Sequence, residues 1–198
     1  MKSATVYVHG KGGSAAESEH YIPLFPGSDV LGFDYKAQTP WEAKSEFPPY
    51  FAKLREKYEK ITVVANSIGA YFAVHSLSGG SINAAYLISP VTDMEALITG
   101  MMAAEGVSED ELRRRKTVPT SFGEPLSWEY LSYARANPLY WKVPTKILYG
   151  ENDALVPRCA VEAFAKRINA ELTVMPGGEH WFHTKEQLRF LDAWITRR

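Results

Sequence analysis

The residues best suited to chemistry in this chain are a serine, an aspartate and a histidine far apart in sequence: Ser67, Asp153 and His180. Ser67 lies in Ile61-Thr-Val-Val-Ala-Asn-Ser67-Ile-Gly69-Ala, where a β-branched run passes straight into small residues and then into the helical stretch Ala70–Leu77. A strand-to-helix turn this tight needs small residues two positions either side of its centre, and Ala65 and Gly69 supply them. Such a turn presents a hydroxyl at a helix N-terminus, where backbone N–H groups and the dipole favour a developing oxyanion. The plainer role for the serine is a helix N-cap. Asp153, in Gly150-Glu-Asn-Asp153-Ala-Leu-Val-Pro157, follows a strand-like run. It reads either as a turn residue or as the carboxylate that orients a histidine, and Glu151 competes with it. His180 follows the Gly177-Gly178 pair, with His183 as a near competitor; His20 and His75 read as ordinary surface or packing residues.

The elements that must position these groups alternate short β-rich runs with longer helical patterns, the signature of a parallel α/β sheet. Strands are expected at Thr5–Val8, Val30–Phe33, Ile61–Ala65, Ala84–Ser89, Lys146–Tyr149 and Glu171–Met175. Thr39, Pro40 and Glu42 form a capping box with proline at the first helical position. Pro48-Pro49 are expected to interrupt that helix before Tyr50–Tyr58 continues. Further helices are expected after Ser67, after Pro157 and after His183, the last with Leu188, Leu191, Trp194 and Ile195 on one face. About 55 residues separate the fourth strand from the fifth, too many for a simple crossover. Helical patterns near Asp93–Ala104, Ser108–Lys116 and Ser127–Ala136 make this a helical insertion. Serine, aspartate and histidine thus follow the third, fifth and sixth strands, where parallel sheets place their ligands. The order outweighs any one of the three signals.

The sequence resembles the α/β-hydrolase superfamily over nearly its whole length. The resemblance is carried by His9-Gly10-Lys11-Gly12-Gly13, by Ala65-Asn-Ser67-Ile-Gly69, by Gly150-Glu-Asn-Asp153-Ala-Leu-Val-Pro157 and by Gly177-Gly-Glu-His180. It implies Ser67 as nucleophile, His180 as general base and Asp153 as its orienting partner. The oxyanion hole would use the backbone N–H groups of Ile68 and Lys11, with Gly12 as the next donor. It implies one three-layer α/β/α domain over 1–198, about six parallel strands in the order 2-1-3-4-5-6, and a helical cap at 91–143. The superfamily's initial antiparallel strands are expected to be absent. The second strand also ends in Gly32-Phe-Asp34-Tyr without the glycines often found there.

The insertion is rich in large apolar groups, most of which are expected to pack it onto the sheet. Met101, Met102 and Trp128, together with Gly12, Val156 and Trp181, are the candidate pocket residues for a small or medium ester with an apolar acyl or alcohol part. Amides and thioesters suit the same triad, as does a non-catalytic ligand-binding role for the scaffold. The run Arg113-Arg-Arg-Lys116 reads as a solvated helix face, or as a contact for an anion.

Composition narrows the alternatives. The chain has 198 residues, 45% hydrophobic and 23% charged, with a net charge of −1. That fits one globular domain and argues against a nucleic-acid-binding stripe. One cysteine, Cys159, allows no intrachain disulfide, and it reads as an inert, partly buried thiol. The N-terminal apolar stretch is too short for a signal peptide, and no apolar run is long enough to span a bilayer. A cytoplasmic enzyme without cofactor or metal is therefore expected, its oligomeric state open. Gly10-Lys-Gly12-Gly-Ser-Ala15 with Asp34 also spells a dinucleotide-binding fingerprint. Ser14–His20 has no apolar stripe to build the helix that this reading needs. Lys11 followed by Gly12 excludes the G-x-x-x-x-G-K-[ST] phosphate loop.

Overall fold

The computed structural model describes residues 2–77 and 80–197. In chain order the elements are β1 (Ser3–Val8), a 3₁₀ helix (Ala15–Leu24), β2 (Asp29–Gly32), α1 (Pro40–Arg55), β3 (Lys60–Asn66), α2 (Ser67–Ser76) and β4 (Ala84–Ile88). Then come α3 (Met94–Ala104), α4 (Glu109–Arg115), β5 (Thr117–Val118), β6 (Leu126–Ser127) and α5 (Trp128–Ala136). The chain closes with β7 (Thr145–Gly150), α6 (Arg158–Ile168), β8 (Glu171–Met175) and α7 (Lys185–Thr196). Two compact units result: Asp93–Leu139, and the stretches on either side of it.

The larger unit is built on a six-stranded parallel sheet in the order β2-β1-β3-β4-β7-β8. Counting only its own strands, that is 2-1-3-4-5-6. The central strands are apolar along their length because helices cover both faces. Val6, Val8, Val63, Val64, Ala65 and Leu87 are all buried. One face carries Tyr7, Val64, Ile88, Leu148 and Met175, packed against Tyr21 of the 3₁₀ helix and Leu191, Trp194 and Ile195 of α7. The α7 residues recur at three- and four-residue spacing, which is what aims one stripe of a helix at a sheet. Elsewhere, Phe33 packs edge-on against Phe47 and Phe51 of α1 and stacks on Tyr50 at 4.0 Å.

The prolines of α1 do not interrupt it. The helix runs unbroken from Pro40 to Arg55, with the Thr39–Glu42 capping box in place. Pro48 and Pro49 remove the N–H groups that would bond the carbonyls of Lys44 and Ser45, and both of those residues are exposed. Those carbonyls lie on the outer side of the helix, while Ala43, Phe47 and Phe51, all fully buried, hold the inner face. Burial overrides propensity here.

Asp93–Leu139 contains the three expected helices, each with a side-chain cap: Asp93 on α3, Ser108 on α4 and Ser127 on α5. Arg135 ties them together, reaching Glu95 at 2.7 Å and Glu109 at 2.9 Å. The unit also holds the antiparallel pair β5–β6, too short to leave a period in the sequence. The basic run is answered locally: Arg113 pairs with Glu109 and Asp110, and Arg115 with Glu111. Cys159 is exposed, a correction to the partly buried thiol expected. The inner face of α6 is Val161, Phe164 and Ala165, which leaves position 159 outside. Among the described residues no helix is long and apolar enough to cross a membrane.

Candidate active site

β3 passes into α2 with no intervening residue, and the turn is made by Ser67 in the left-handed region, φ 52°. A non-glycine residue there stores about 1–3 kcal/mol of strain, which the surroundings must sustain. They do so by close packing. A Cβ on Gly69 would stand 2.1 Å from the carbonyl oxygen of His9, and one on Gly10 would stand 3.2 Å from Cβ of Ser67. Only glycine at 69 lets the β1 loop pass under the start of α2.

Asp153 and His180 come from the loops after β7 and β8, which approach as closely. A Cβ on Gly150 would meet the backbone of Gly178 and Glu179 within 2.6 Å. Glu151 accepts the Gly177 N–H at 2.9 Å, and the Asn152 N–H donates to the Gly178 carbonyl at 2.7 Å. Glu151 is therefore a brace between the loops and makes no contact with His180 among these bonds. Asp153 Oδ1 accepts the N–H groups of Leu155 and Val156, both at 2.9 Å, leaving Oδ2 for the histidine.

The three side chains meet in a line. Oγ of Ser67 lies 2.8 Å from Nε2 of His180, and Nδ1 of His180 lies 2.7 Å from Oδ2 of Asp153. The Asp153 side chain is wholly buried and that of His180 is 21% exposed. A carboxylate beside Nδ1 fixes the proton there, so Nε2 is the acceptor and the Ser67 hydroxyl donates to it. His183 is elsewhere: it precedes the N-cap of α7, stacks on Trp181 at 4.7 Å and bonds its carbonyl at 2.7 Å.

The other predicted site residues fall into two groups. Lys11 and Gly12 lie on the exposed turn closed by the Gly13 N–H on the Gly10 carbonyl, with Gly12 at φ 72°. Ile68 is in the first turn of α2, whose N–H groups have no partner within the helix. Trp181 is 67% exposed, whereas Val156 is buried and gives its carbonyl to the Tyr149 hydroxyl. Met101, Met102 and Trp128 belong to Asp93–Leu139. There Met102 is buried, and the ring of Trp128 sits under Arg113 and helps line a cavity of about 620 Å³. Asp34 is exposed and paired with Lys36 at 2.8 Å, and a 3₁₀ helix follows the glycine-rich turn, so the dinucleotide fingerprint lacks its phosphate-binding α-helix.

Two features had no reading in the sequence. Ser89, fully buried at the end of β4, is also left-handed at φ 43°. Gln187, also buried, caps α7 and reaches Glu179, next to the histidine; a polar residue on the inner face of that helix was the available signal.

No protein-family model and no curated protein matches the chain. Among solved structures it is similar to alpha/beta hydrolase domain-containing protein 10 from mouse, with a TM-score of 0.73 and 17% identity, over 97% of this chain and 87% of that one. The fold is that of the α/β hydrolases. A monoacylglycerol lipase of Paleococcus ferrophilus shares the α/β-hydrolase fold at a TM-score of 0.65 and 15% identity, covering 99% and 96% of the two chains. An esterase of Pyrococcus furiosus does so at 0.63 and 22%, covering 99% and 80%.

Proposed function

We propose that this protein is a serine hydrolase that cleaves small to medium carboxylic esters through Ser67, His180 and Asp153. The observation that carries the reading is the line of two short hydrogen bonds, 2.8 Å and 2.7 Å, from a strained serine to a buried carboxylate. The similarity to an esterase and a lipase supports it as to fold.

His180 Nε2 takes the hydroxyl proton as Oγ of Ser67 attacks the ester carbonyl. Asp153 keeps the imidazole in the right tautomer and stabilises the imidazolium. The carbonyl oxygen, now negative, binds the N–H groups of Ile68 and Lys11, the one at the start of α2 gaining from the helix dipole. Collapse of this intermediate breaks the bond to the alcohol, which leaves with the proton from His180. Water then repeats the sequence on the acyl-serine and frees the acid. Leu155 and Trp181, both exposed and each within two residues of a triad member, favour an apolar substituent on the ester.

p-Nitrophenyl esters from acetate to palmitate test the reading. Turnover is expected for the shorter members and is lost in Ser67→Ala and His180→Ala. No turnover of any ester, with turnover of amides, would replace the esterase by an amidase.

A further inference from the structure

The two proposed oxyanion donors belong to different segments, and something must hold those segments in register. Pairing of β1 with β3 ends at Val8 opposite Ala65. Beyond that point the Gly10–Gly13 turn and the Asn66-Ser67 step have both left the ladder.

A polar chain ties the turn to β1, which pairs with β3 up to that point. Oε1 of Glu17 accepts the Ser14 N–H at 2.9 Å, holding the far side of the turn, and its Oε2 accepts the Tyr7 hydroxyl at 2.5 Å. Tyr7 is buried on the face that carries Val64, its ring stacked on Tyr21 at 5.0 Å. Tyr7 stands opposite Val64 in the β1–β3 pairing, and Asn66 follows two residues on, on the same face. The phenol has one proton and gives it to Glu17. Burial, Tyr21 and Glu17 all push its pKa up, so it stays a neutral donor. Phenylalanine would fill this core position equally well, and a hydroxyl there must be stripped of water. The carbonyl oxygen of the Asn66 side chain, next in sequence to the nucleophile, is buried without a partner among the described residues.

We propose that Tyr7 and Glu17 are positioning residues, which hold the turn bearing the Lys11 amide against the segment bearing Ser67. This rests on the hydrolase reading above. Neither touches substrate; they act through the spacing of the two oxyanion donors, a quantity to which rate is steeply sensitive. The polarity of the chain gives a specific expectation for Glu17→Gln. Glutamine can still accept from the Ser14 N–H through its amide oxygen and now donates through its amide nitrogen to the Tyr7 oxygen. The bridge survives with its direction reversed.

The test is the second-order rate of fluorophosphonate labelling at Ser67, in which the Oγ–P bond forms, P–F breaks, fluoride leaves and the proton passes to His180. Tyr7→Phe and Glu17→Ala should each label about tenfold more slowly or worse, with little change in melting temperature. The double variant should be no slower than the slower single, because both cut one chain. Glu17→Gln should recover to within about threefold of wild type. On the best ester of the panel the loss should fall on kcat with KM unchanged. Wild-type labelling by Tyr7→Phe, or a Glu17→Gln variant as slow as Glu17→Ala, would overturn the proposal. If Tyr7→Phe does not fold, the two Glu17 variants decide it. A wild-type protein that takes no label at Ser67 defeats the hydrolase reading instead.

Discussion

At the scale of single residues, the site depends on which atom of Asp153 is free. Its Oδ1 is used to shape its own loop through Leu155 and Val156, and its Oδ2 alone faces His180. Asparagine could keep the loop bonds while turning an N–H toward Nδ1, which forces the wrong tautomer. Asp153→Asn should therefore lower kcat by about 10³–10⁴ with the melting temperature little changed, measured on the best ester of the panel. A loss below tenfold would remove Asp153 from the reading. Ser67, Asp153 and His180 were legible as candidates because each falls within five residues of the end of a strand with small residues beside it. The choice against Glu151 and His183 was not legible. It depends on hydrogen bonds between loops 26 residues apart in sequence, such as Glu151 with Gly177, that no local pattern records.

At the scale of elements, the turn at Ser67 and the continuity of α1 show local preference yielding to packing. Gly69→Ala puts a methyl group into the His9 carbonyl, so β3–α2 must shift off β1. Denaturant unfolding should show a loss at or above the upper end of the 1–3 kcal/mol of ordinary overpacking, about 3 kcal/mol, and Ser67 should no longer label. For α1 the expectation runs the other way. Pro49 is exposed, and alanine would restore an N–H to the Ser45 carbonyl. Pro in a helix interior costs about 3 kcal/mol, of which its restriction of the unfolded chain returns about 1. Pro49→Ala should raise the unfolding free energy by about 1–2 kcal/mol; a fall would mean that the proline is needed where it is. Strand positions were readable to within about two residues because buried parallel strands are continuous apolar runs. The unbroken α1 was not, since the proline rule cannot know that Phe47 and Phe51 lie in a core. The 3₁₀ helix was not either, having no apolar stripe.

At the scale of the molecule, the parallel sheet and the candidate site at its carboxyl end followed from alternation of element types and the order of strands from the resemblance to the α/β hydrolases, whereas division into two units did not follow from length. The larger unit also carries a built-in acid sensitivity. His75, stacked on Tyr71, has its pKa lowered to about 4, first by burial and then by Lys44. Between its ordinary value near 6.5 and about 4 the unfolded chain binds a proton that the folded one refuses, so stability falls as pH falls through that window. In the smaller unit, Glu109, held low by Arg135, adds its loss at still lower pH. The melting temperature should decline from pH 6.5 to 4, and His75→Gln should flatten that part of the curve. An unchanged slope would assign the decline to other groups. Above all these stands the claim that Ser67 is a nucleophile, and mass spectrometry after fluorophosphonate treatment tests it most directly. The account predicts one adduct per chain, on the peptide containing Ser67, absent in Ser67→Ala. An adduct that persists in Ser67→Ala, or none in the folded wild-type protein, would contradict it.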